Sequence, residues 1–200
     1  QLGGFASVAL KFGNLVQSKV SAIAIYNHVA NKDSRMLEGS FPAIISGNGI
    51  FQTRTLRFRE REFQDYPLRG EHVFGESGIK FEWGGSYVQT TQDDPDFRQF
   101  SNTFRVRNNV DTLYFISPAE FDLPFHFYRN LRDEQYSSKA DLTIPFAQSK
   151  NGFNQFKFGF FHSDKSRSFR DNVNQIQLGS SENYAGDADT FFGDTNIGII

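Results

Sequence analysis

Apolar and polar residues alternate with a period of two along much of the chain. Between residues 79 and 87 the odd positions hold isoleucine, three aromatic residues and one glycine, whereas the even positions hold lysine, glutamate, glycine and serine. Residues 6–12, 66–74, 142–146 and 156–160 repeat the pattern. Successive side chains of a strand point to opposite faces, so this alternation predicts strands with one apolar and one polar face. No convincing amphipathic helix competes with it, and we predict an all-β fold.

Six strands are predicted in the main sheet, joined alternately by short and long connections. The strands cover about residues 5–12, 19–27, 53–74, 79–91, 136–147 and 154–178. The short connections, 13–18, 75–78 and 148–152, contain the Gly, Asn and Ser residues that tight turns need. The long connections are 28–52 and 92–135, which places them at the opposite end of the strands. A strand-like stretch at 102–116 predicts a small hairpin inside the second long connection, outside the main sheet.

Two architectures fit an antiparallel meander of about six long strands. One is part of a large transmembrane β-barrel, with short turns at one end and long loops at the other. The other is a soluble sandwich with its apolar face turned inward. Strand length favours the barrel, because ordinary strands have about 5–6 residues. A barrel strand needs about 9–11 residues to cross lipid and can continue beyond it. We therefore predict that the phenylalanine side chains face lipid, with Tyr66, Trp83 and Tyr87 at the membrane interfaces.

Composition excludes several functions and permits the barrel. The 200 residues include 24 Phe but no Cys, which excludes disulfides, thiolate metal sites and a Cys nucleophile. The formal net charge of −2 argues against nucleic-acid binding, which normally needs a basic face. The mean hydropathy of −0.49 is low for a membrane protein. A barrel strand shows lipid only every second residue, however, so this value is compatible with a barrel.

Five segments, in chain order, resemble motifs of bacterial TonB-dependent outer-membrane receptors. Residues 57–72, RFREREFQDYPLRGEH, are similar to the ER-x-x-x-x-QLxGEH strand of that family. Residues 79–98 resemble its W-x-x-S-Y-S…DEPD-x-R strand and loop entry, and residues 128–134 its R-x-L-x-E return. Residues 139–146 resemble its LDYTIPF strand, and residues 157–170 its KFG…KDRxFR segment.

The resemblance covers about residues 53–170 and departs from the family at a few positions. Asn130 and Arg132 stand where more acidic residues are expected, and the pair Gln64-Asp65 interrupts the QL spacing. Residues 1–52 match only as generic barrel strands.

The resemblance implies that residues 1–200 are a partial β-barrel domain in the bacterial outer membrane. Such receptors have 22 strands and a plug, and the plug and the barrel-closing strands would lie outside this chain. The implied partners are outer-membrane lipid, a scarce extracellular ligand (a siderophore, sugar or peptide), the plug domain and the inner-membrane energy-coupling protein. The chain would supply wall strands and extracellular loops for ligand import, without catalysis.

Arg57, Arg59 and Arg61 alternate along the predicted strand 53–74, on the face that would line the barrel lumen. They are candidate contacts for an anionic ligand, because the guanidinium fork matches carboxylate and phosphate oxygens. The alternative, which we favour, is that the charges of this run form cross-strand ion pairs beyond the lipid.

The second long connection contains further candidate ligand contacts, because loops on a rigid scaffold usually carry recognition. These candidates are Phe125, Phe127, Tyr128 and Arg129. The run Asp93-Asp94-Pro95-Asp96 has carboxylates that a cation could use, but it lacks the spacing of a calcium loop. We therefore predict a turn there.

No arrangement of residues predicts an enzyme or a cofactor site. The four His residues are scattered, without a close metal-ligand pair. There is no nucleophile-elbow motif and no Gly-rich phosphate loop. The functions that compete with a receptor segment are a soluble all-β ligand- or carbohydrate-binding module and a smaller outer-membrane porin or enzyme.

Overall fold

The computed structural model describes part of the chain and shows an all-β protein. The described residues are 1–40, 45, 48–107, 111–116, 122–149, 152–176 and 184–187. They form a single antiparallel sheet of seven strands that is not closed. The strands are β1 (Leu2–Phe12), β2 (Val16–Gly39), β3 (Ile50–Phe74), β4 (Ile79–Arg107), β5 (Asp111–Phe115), β6 (Phe125–Ser149) and β7 (Gly152–Gln175). Their order is β1-β2-β3-β4-β6-β7, and β5 pairs with β4.

The all-β prediction and the antiparallel meander are confirmed. The prediction of two long connections is wrong over much of their length, because those residues belong to strands. Strand β2 continues to Gly39, β4 continues to Arg107, and β6 already begins at Phe125. The apolar residues of these extensions, such as Phe97, Phe100 and Phe125, are scattered among charged and polar residues, so no long apolar alternation marks them. Backbone pairing with a neighbouring strand holds them in the sheet all the same.

The predicted small hairpin within 102–116 is present, but its place in the sheet differs from the prediction. Residues 103–107 of β4 pair with residues 111–115 of β5. The first arm is therefore the end of a main strand, and β5 belongs to the same sheet. Part of the predicted turn 148–152 lies outside the described residues.

The turn between β1 and β2 depends on Gly13. This residue has φ of 99°, a conformation that L side chains rarely adopt. A Cβ atom there would lie 1.9 Å from the carbonyl oxygen of Val16. The turn sets a register in which Phe12 pairs with Ser18 and Leu2 with His28.

The chain divides into two compact units, each of which takes residues from several strands. The first unit comprises residues 1–30, 60–92 and 130–170. The second comprises residues 31–59, 93–129 and 171–200. No helix in the described part of the chain is long and apolar enough to cross a membrane.

In the first unit, one face of the sheet is apolar and carries a row of tyrosines. The ring centroids of Tyr66 and Tyr87 lie 6.4 Å apart, and those of Tyr87 and Tyr136 lie 4.8 Å apart. We call these three residues the tyrosine row. On the same face, Phe146 of β6 stacks on Phe156 of β7 at 4.4 Å. The predicted alternation therefore places the aromatic side chains of neighbouring strands side by side.

The opposite face of the first unit is polar. The ammonium group of Lys80 lies 3.3 Å from a carboxylate oxygen of Glu71 and 3.1 Å from one of Glu82. Further along, Asp133 of β6 accepts two hydrogen bonds from the guanidinium of Arg167 in β7. The two pairs that join neighbouring strands, Lys80–Glu71 and Arg167–Asp133, each contribute modestly to sheet stability.

A hydrogen-bonded chain of three side chains crosses β2, β3 and β4 on the apolar face. The indole N–H of Trp83 donates to Nε2 of His72 at 3.0 Å. Because Nε2 is the acceptor, a neutral His72 carries its proton on Nδ1, which lies 2.9 Å from Oγ of the buried Ser18. These polar atoms satisfy one another within an otherwise apolar surface.

The second unit buries more polar than apolar side chains among its described residues. Oγ1 of Thr53 lies 3.0 Å from Oγ of Ser101, and both residues are buried. The ring of Tyr184 packs against that of Phe100, with centroids 5.0 Å apart, and the hydroxyl oxygen of Tyr184 accepts a hydrogen bond from Nη1 of Arg54 at 2.9 Å. Burial raises the pKa of Tyr184, although the bond from Arg54 acts in the opposite direction.

Candidate functional site

A buried carboxylate in β4 of the second unit holds two arginines of β3. Asp94 is 1% exposed. Its Oδ1 accepts a 2.8 Å hydrogen bond from Nε of Arg59, and its Oδ2 accepts a 2.9 Å bond from Nη2 of Arg57. A carboxylate is this deeply buried only when it is paired and hydrogen-bonded, and here both oxygens are used. The turn predicted at 93–96 is therefore wrong, because these residues lie within β4.

Phe97 lies under the same arginine. The guanidinium carbon of Arg57 is 5.1 Å from the centroid of the Phe97 ring, within the range of a cation–π contact. Asp94 and Phe97 are three positions apart, which would put them on opposite faces of a regular strand. Since both contact Arg57, the alternation of β4 shifts by one residue between them. Pro95 lies in this interval, and irregular positions of this kind accommodate a residue without an N–H.

Two phenylalanines of β6 complete an aromatic platform around Phe97. The ring of Phe127 stacks on Phe97 with centroids 5.4 Å apart and planes at 23°. Phe125 meets Phe97 edge-on, with centroids 6.2 Å apart and planes at 85°. Both geometries are favourable for aromatic pairs. The guanidinium carbon of Arg129 lies 4.3 Å from the centroid of Phe127 and 5.7 Å from that of Phe97.

Seven residues thus form one continuous contact group, which we call the arginine–phenylalanine cluster. Its members are Arg57, Arg59, Asp94, Phe97, Phe125, Phe127 and Arg129. Five of the seven residues predicted to contact a ligand are among them: Arg57, Arg59, Phe125, Phe127 and Arg129. Strands that are far apart in sequence therefore bring the two predicted groups together within the second unit.

The other two predicted residues lie elsewhere. The hydroxyl of Tyr128 is 2.9 Å from Nδ1 of His126, whose Nε2 is in turn 2.8 Å from Oδ1 of Asp96. Tyr128 follows Phe127 directly, so it projects from the opposite face of β6. Arg61 belongs to the first unit, where its Nε donates to Oε1 of Gln92 at 3.0 Å.

The sequence contained a signal for Asp94 that the prediction missed. Arg59 precedes Gly75 by 16 positions, and Asp94 follows Gly78 by 16 positions. Counting outward from the predicted 75–78 turn therefore places these two residues opposite each other. Phe97 could not be found in this way, because the shift near Pro95 moves it to the other face.

A separate cavity of about 470 Å³ lies beside the β1–β2 turn in the first unit. Its lining includes Lys11 and Lys19, which pair directly across β1 and β2. The carboxylate of Glu71 also lines it, but this group is engaged by Lys80. Both lysines are exposed, so this cavity has no buried charged group that would define a ligand.

Within the described ranges, no three His, Asp or Glu side chains come close enough to hold a metal ion. No protein family matches the chain when it is compared with family sequence profiles, and no curated protein is similar to it. The resemblance to TonB-dependent receptors consequently consists of the five motifs alone.

Proposed function

We propose that the chain is a segment of the barrel wall of a TonB-dependent outer-membrane receptor, which binds a scarce extracellular ligand and imports it. The strands of the first unit would cross the outer membrane, with the tyrosine row at one interface. The arginine–phenylalanine cluster of the second unit would contact the ligand. In this proposal the chain provides structure and recognition, and it catalyses no reaction.

The observation that carries the membrane part of the proposal is the length of the apolar face. The segments Ile79–Tyr87 and Tyr66–Phe74 each run nine residues between a short turn and the tyrosine row. A barrel strand needs about 9–11 residues to cross the hydrocarbon core, and tyrosines are common at its interfaces. The match of length and boundary supports a lipid-facing role for this face.

Beyond the tyrosine row, both faces of β6 carry charge. Glu134 accepts hydrogen bonds from the hydroxyl of Tyr87 at 2.9 Å and from Arg132 at 2.7 Å, on the tyrosine face. On the opposite face, the neighbouring Asp133 is bound by Arg167. Charged side chains on both faces suit water, and they are costly on the lipid face of a barrel strand. The apolar band therefore ends where a membrane boundary would lie.

The exposed phenylalanines of β7 argue against the sandwich. Phe156, Phe158 and Phe160 are 56%, 60% and 64% exposed. In a sandwich these side chains would meet a second sheet, and the described residues contain a single sheet. The five receptor-like motifs, in order over residues 57–170, favour a receptor wall over a porin.

Single cysteines test the membrane part. The 200 residues contain no Cys, and any Cys elsewhere in the full-length protein is first replaced by Ser so that the labelling is specific. In outer membranes containing the full-length protein, a nitroxide on Phe158→Cys should be relaxed by lipid-dissolved oxygen. A nitroxide on the adjacent Lys157→Cys should show much weaker oxygen relaxation, because it faces away from lipid. If oxygen relaxes both labels equally weakly while a water-soluble agent reaches both, the membrane assignment fails.

Uptake tests the receptor part. Cells that make the full-length protein should accumulate a siderophore, sugar or peptide from a labelled panel only when the energy-coupling protein of the inner membrane is present. Cells lacking the full-length protein are the control. Accumulation that is independent of the energy-coupling protein would instead identify a porin and overturn the receptor proposal.

A further inference from the structure

The geometry of the arginine–phenylalanine cluster points to the class of ligand: we infer that it binds an oxyanion, a carboxylate or a phosphate, carried on a flat ring. This inference deepens the proposed uptake function and rests on it for its biological role. Binding itself can be measured on the isolated full-length protein. Four properties of the cluster support this inference: free donors, accessibility, charge and an aromatic surface.

The three arginines of the cluster keep unused donors at their outer edges. Each guanidinium has five N–H groups. Arg59 directs Nε to Asp94, and Arg129 directs Nε to Oδ1 of Asp171 at 3.2 Å. Arg57 uses Nε and Nη2 on Asp94. The remaining N–H groups of these three side chains have no acceptor among the described residues, so they are available to a ligand.

Stacking on phenylalanine holds the guanidiniums without using those donors. A cation–π contact involves the flat face of the guanidinium, and its N–H groups point outward in the plane. Phe97 lies under Arg57 and Arg129, while Phe127 lies under Arg129. These contacts hold the guanidiniums beside the rings and leave their N–H groups for the forked hydrogen bonding that carboxylates and phosphates accept.

The charge of the cluster and its exposure favour an incoming anion. Its three guanidiniums face Asp94 and, from outside the cluster, the Asp171 carboxylate that pairs with Arg129, which leaves one net positive charge. Asp94 is buried with both oxygens occupied, so it anchors the arginines and is closed to solvent. The side chains of Arg57, Arg59 and Arg129 are 26%, 20% and 32% exposed, which leaves each of them accessible from outside.

The aromatic platform adds the requirement for a flat ring. Phe97, Phe125 and Phe127 are all partly exposed, and they contact one another beside the arginine edges. A planar ring can stack on such a surface, and aromatic pairs contribute beyond the area they bury. An oxyanion attached to that ring would then reach the guanidinium edges. A ring bearing a cation would be repelled by the same charges.

The experiment measures binding of benzoate and phenyl phosphate to the purified full-length protein in detergent by isothermal titration calorimetry. Inorganic phosphate reports the anion contribution alone, and benzylamine reports the ring with the opposite charge. We expect phenyl phosphate to bind more tightly than inorganic phosphate, and benzylamine not to bind. Equal affinity for phenyl phosphate and benzylamine, or no binding of either ring oxyanion, would overturn the inference.

Two variants locate the site. Arg129→Gln should weaken binding of both ring oxyanions by about tenfold or more, since a charged, forked contact is lost. Phe127→Leu should weaken phenyl phosphate more than inorganic phosphate, because both lose the support of Arg129 but only the ring loses its stacking surface. The matched control is Arg98→Gln, because Arg98 lies in the same unit but pairs with Asp96. An Arg129→Gln affinity no different from that of Arg98→Gln would overturn the assignment.

Arg129 is preferred over Arg59 for this test because its carboxylate partner, Asp171, is 28% exposed. Its removal therefore leaves no fully buried carboxylate without a partner. The β-sheet circular dichroism of each variant shows whether it has folded. The calorimetric result is independent of cellular location. If the oxygen-relaxation and uptake tests fail while binding persists, the proposed function is rejected and the ligand class stands. If only binding is absent, the inferred ligand class is rejected and the proposed function stands.

Discussion

Trp83 lies over Gly70 on the neighbouring strand, so closely that a Cβ atom at position 70 would come within 2.2 Å of the indole ring. The absent side chain gives the indole room, and its N–H reaches His72. The close approach of Gly70 therefore links a glycine in β3 to the hydrogen-bonded chain on the apolar face.

Gly70→Ala should displace Trp83 and destabilise the protein by about 1–3 kcal/mol, the usual cost of overpacking. The free energy of unfolding in urea, measured on the full-length protein in detergent, tests this, and the Trp fluorescence should shift as well. Gly85→Ala in β4 is the control, because its nearest neighbour is a carbonyl oxygen at 3.5 Å. Equal effects of the two substitutions would contradict the packing argument.

Asp94→Asn should destabilise the protein by about 1–3 kcal/mol, because it leaves two arginines without their buried acceptor. The cost is lower than for a fully buried pair, since both arginines reach solvent. Urea unfolding gives the measurement. Asp96→Asn should cost less than about 1 kcal/mol, because Asp96 is 40% exposed and its pair with Arg98 is a surface one. A smaller loss for Asp94→Asn than for Asp96→Asn would show that the buried ion pairs do not stabilise the fold.

Gly13→Ala should disturb the β1–β2 turn, at a cost of about 1–3 kcal/mol or more. The residue has φ of 99°, and an added Cβ would collide with the backbone of Val16. Hydrogen exchange of the β1 and β2 amides should accelerate, since the turn sets their register. Gly4→Ala in β1 has no atom within 4 Å of the new Cβ and should change exchange little.

The Asp133–Arg167 pair predicts a stability difference that depends on pH. Hydrogen bonds from Arg167, together with its charge and then that of Lys165, outweigh the effect of burial and hold the pKa of Asp133 below its ordinary value of 3.8. A carboxyl group whose pKa is lowered by folding stabilises the protein above its unfolded pKa. That contribution disappears as pH falls through the folded pKa.

Arg167→Gln should therefore be less stable than the wild type at neutral pH, and the difference should shrink as pH falls below 3.8. Urea unfolding over a pH series measures it. Arg170→Gln in the same strand is the control, because Arg170 has no ion pair in the described part of the chain. A difference for Arg167→Gln that stays constant down to low pH would contradict the assigned pair.

The apolar face could be predicted because its pattern is local. The alternation around Phe81 and Trp83, and around Phe156 and Phe158, needs only the two-residue period of a strand. The extended ends of β2, β4 and β6 could not be predicted in the same way. Their apolar residues are scattered among charged and polar ones, so no long alternation marks these ends as continuations of the main strands.

The residue types of the candidate site could be predicted from the sequence, but the contacts between them could not. Arginine and phenylalanine are residues that bind anions and rings, and they led to Arg57, Arg59, Phe127 and Arg129. The sequence offered no sign that Arg57 and Arg129 share the ring of Phe97. That contact depends on the register of three strands and on the irregular step near Pro95.

By itself, then, the sequence determined the all-β class, the tight turns and the two-faced character of the strands, because each follows from neighbouring residues. Only the tertiary structure decided that Asp94 is buried between Arg57 and Arg59 and that Phe97 joins the arginines of β3 and β6. The physical reason is that burial of a charge and contact across strands depend on which distant backbone segments pair. A one-residue shift in register or alternation moves a side chain to the other face.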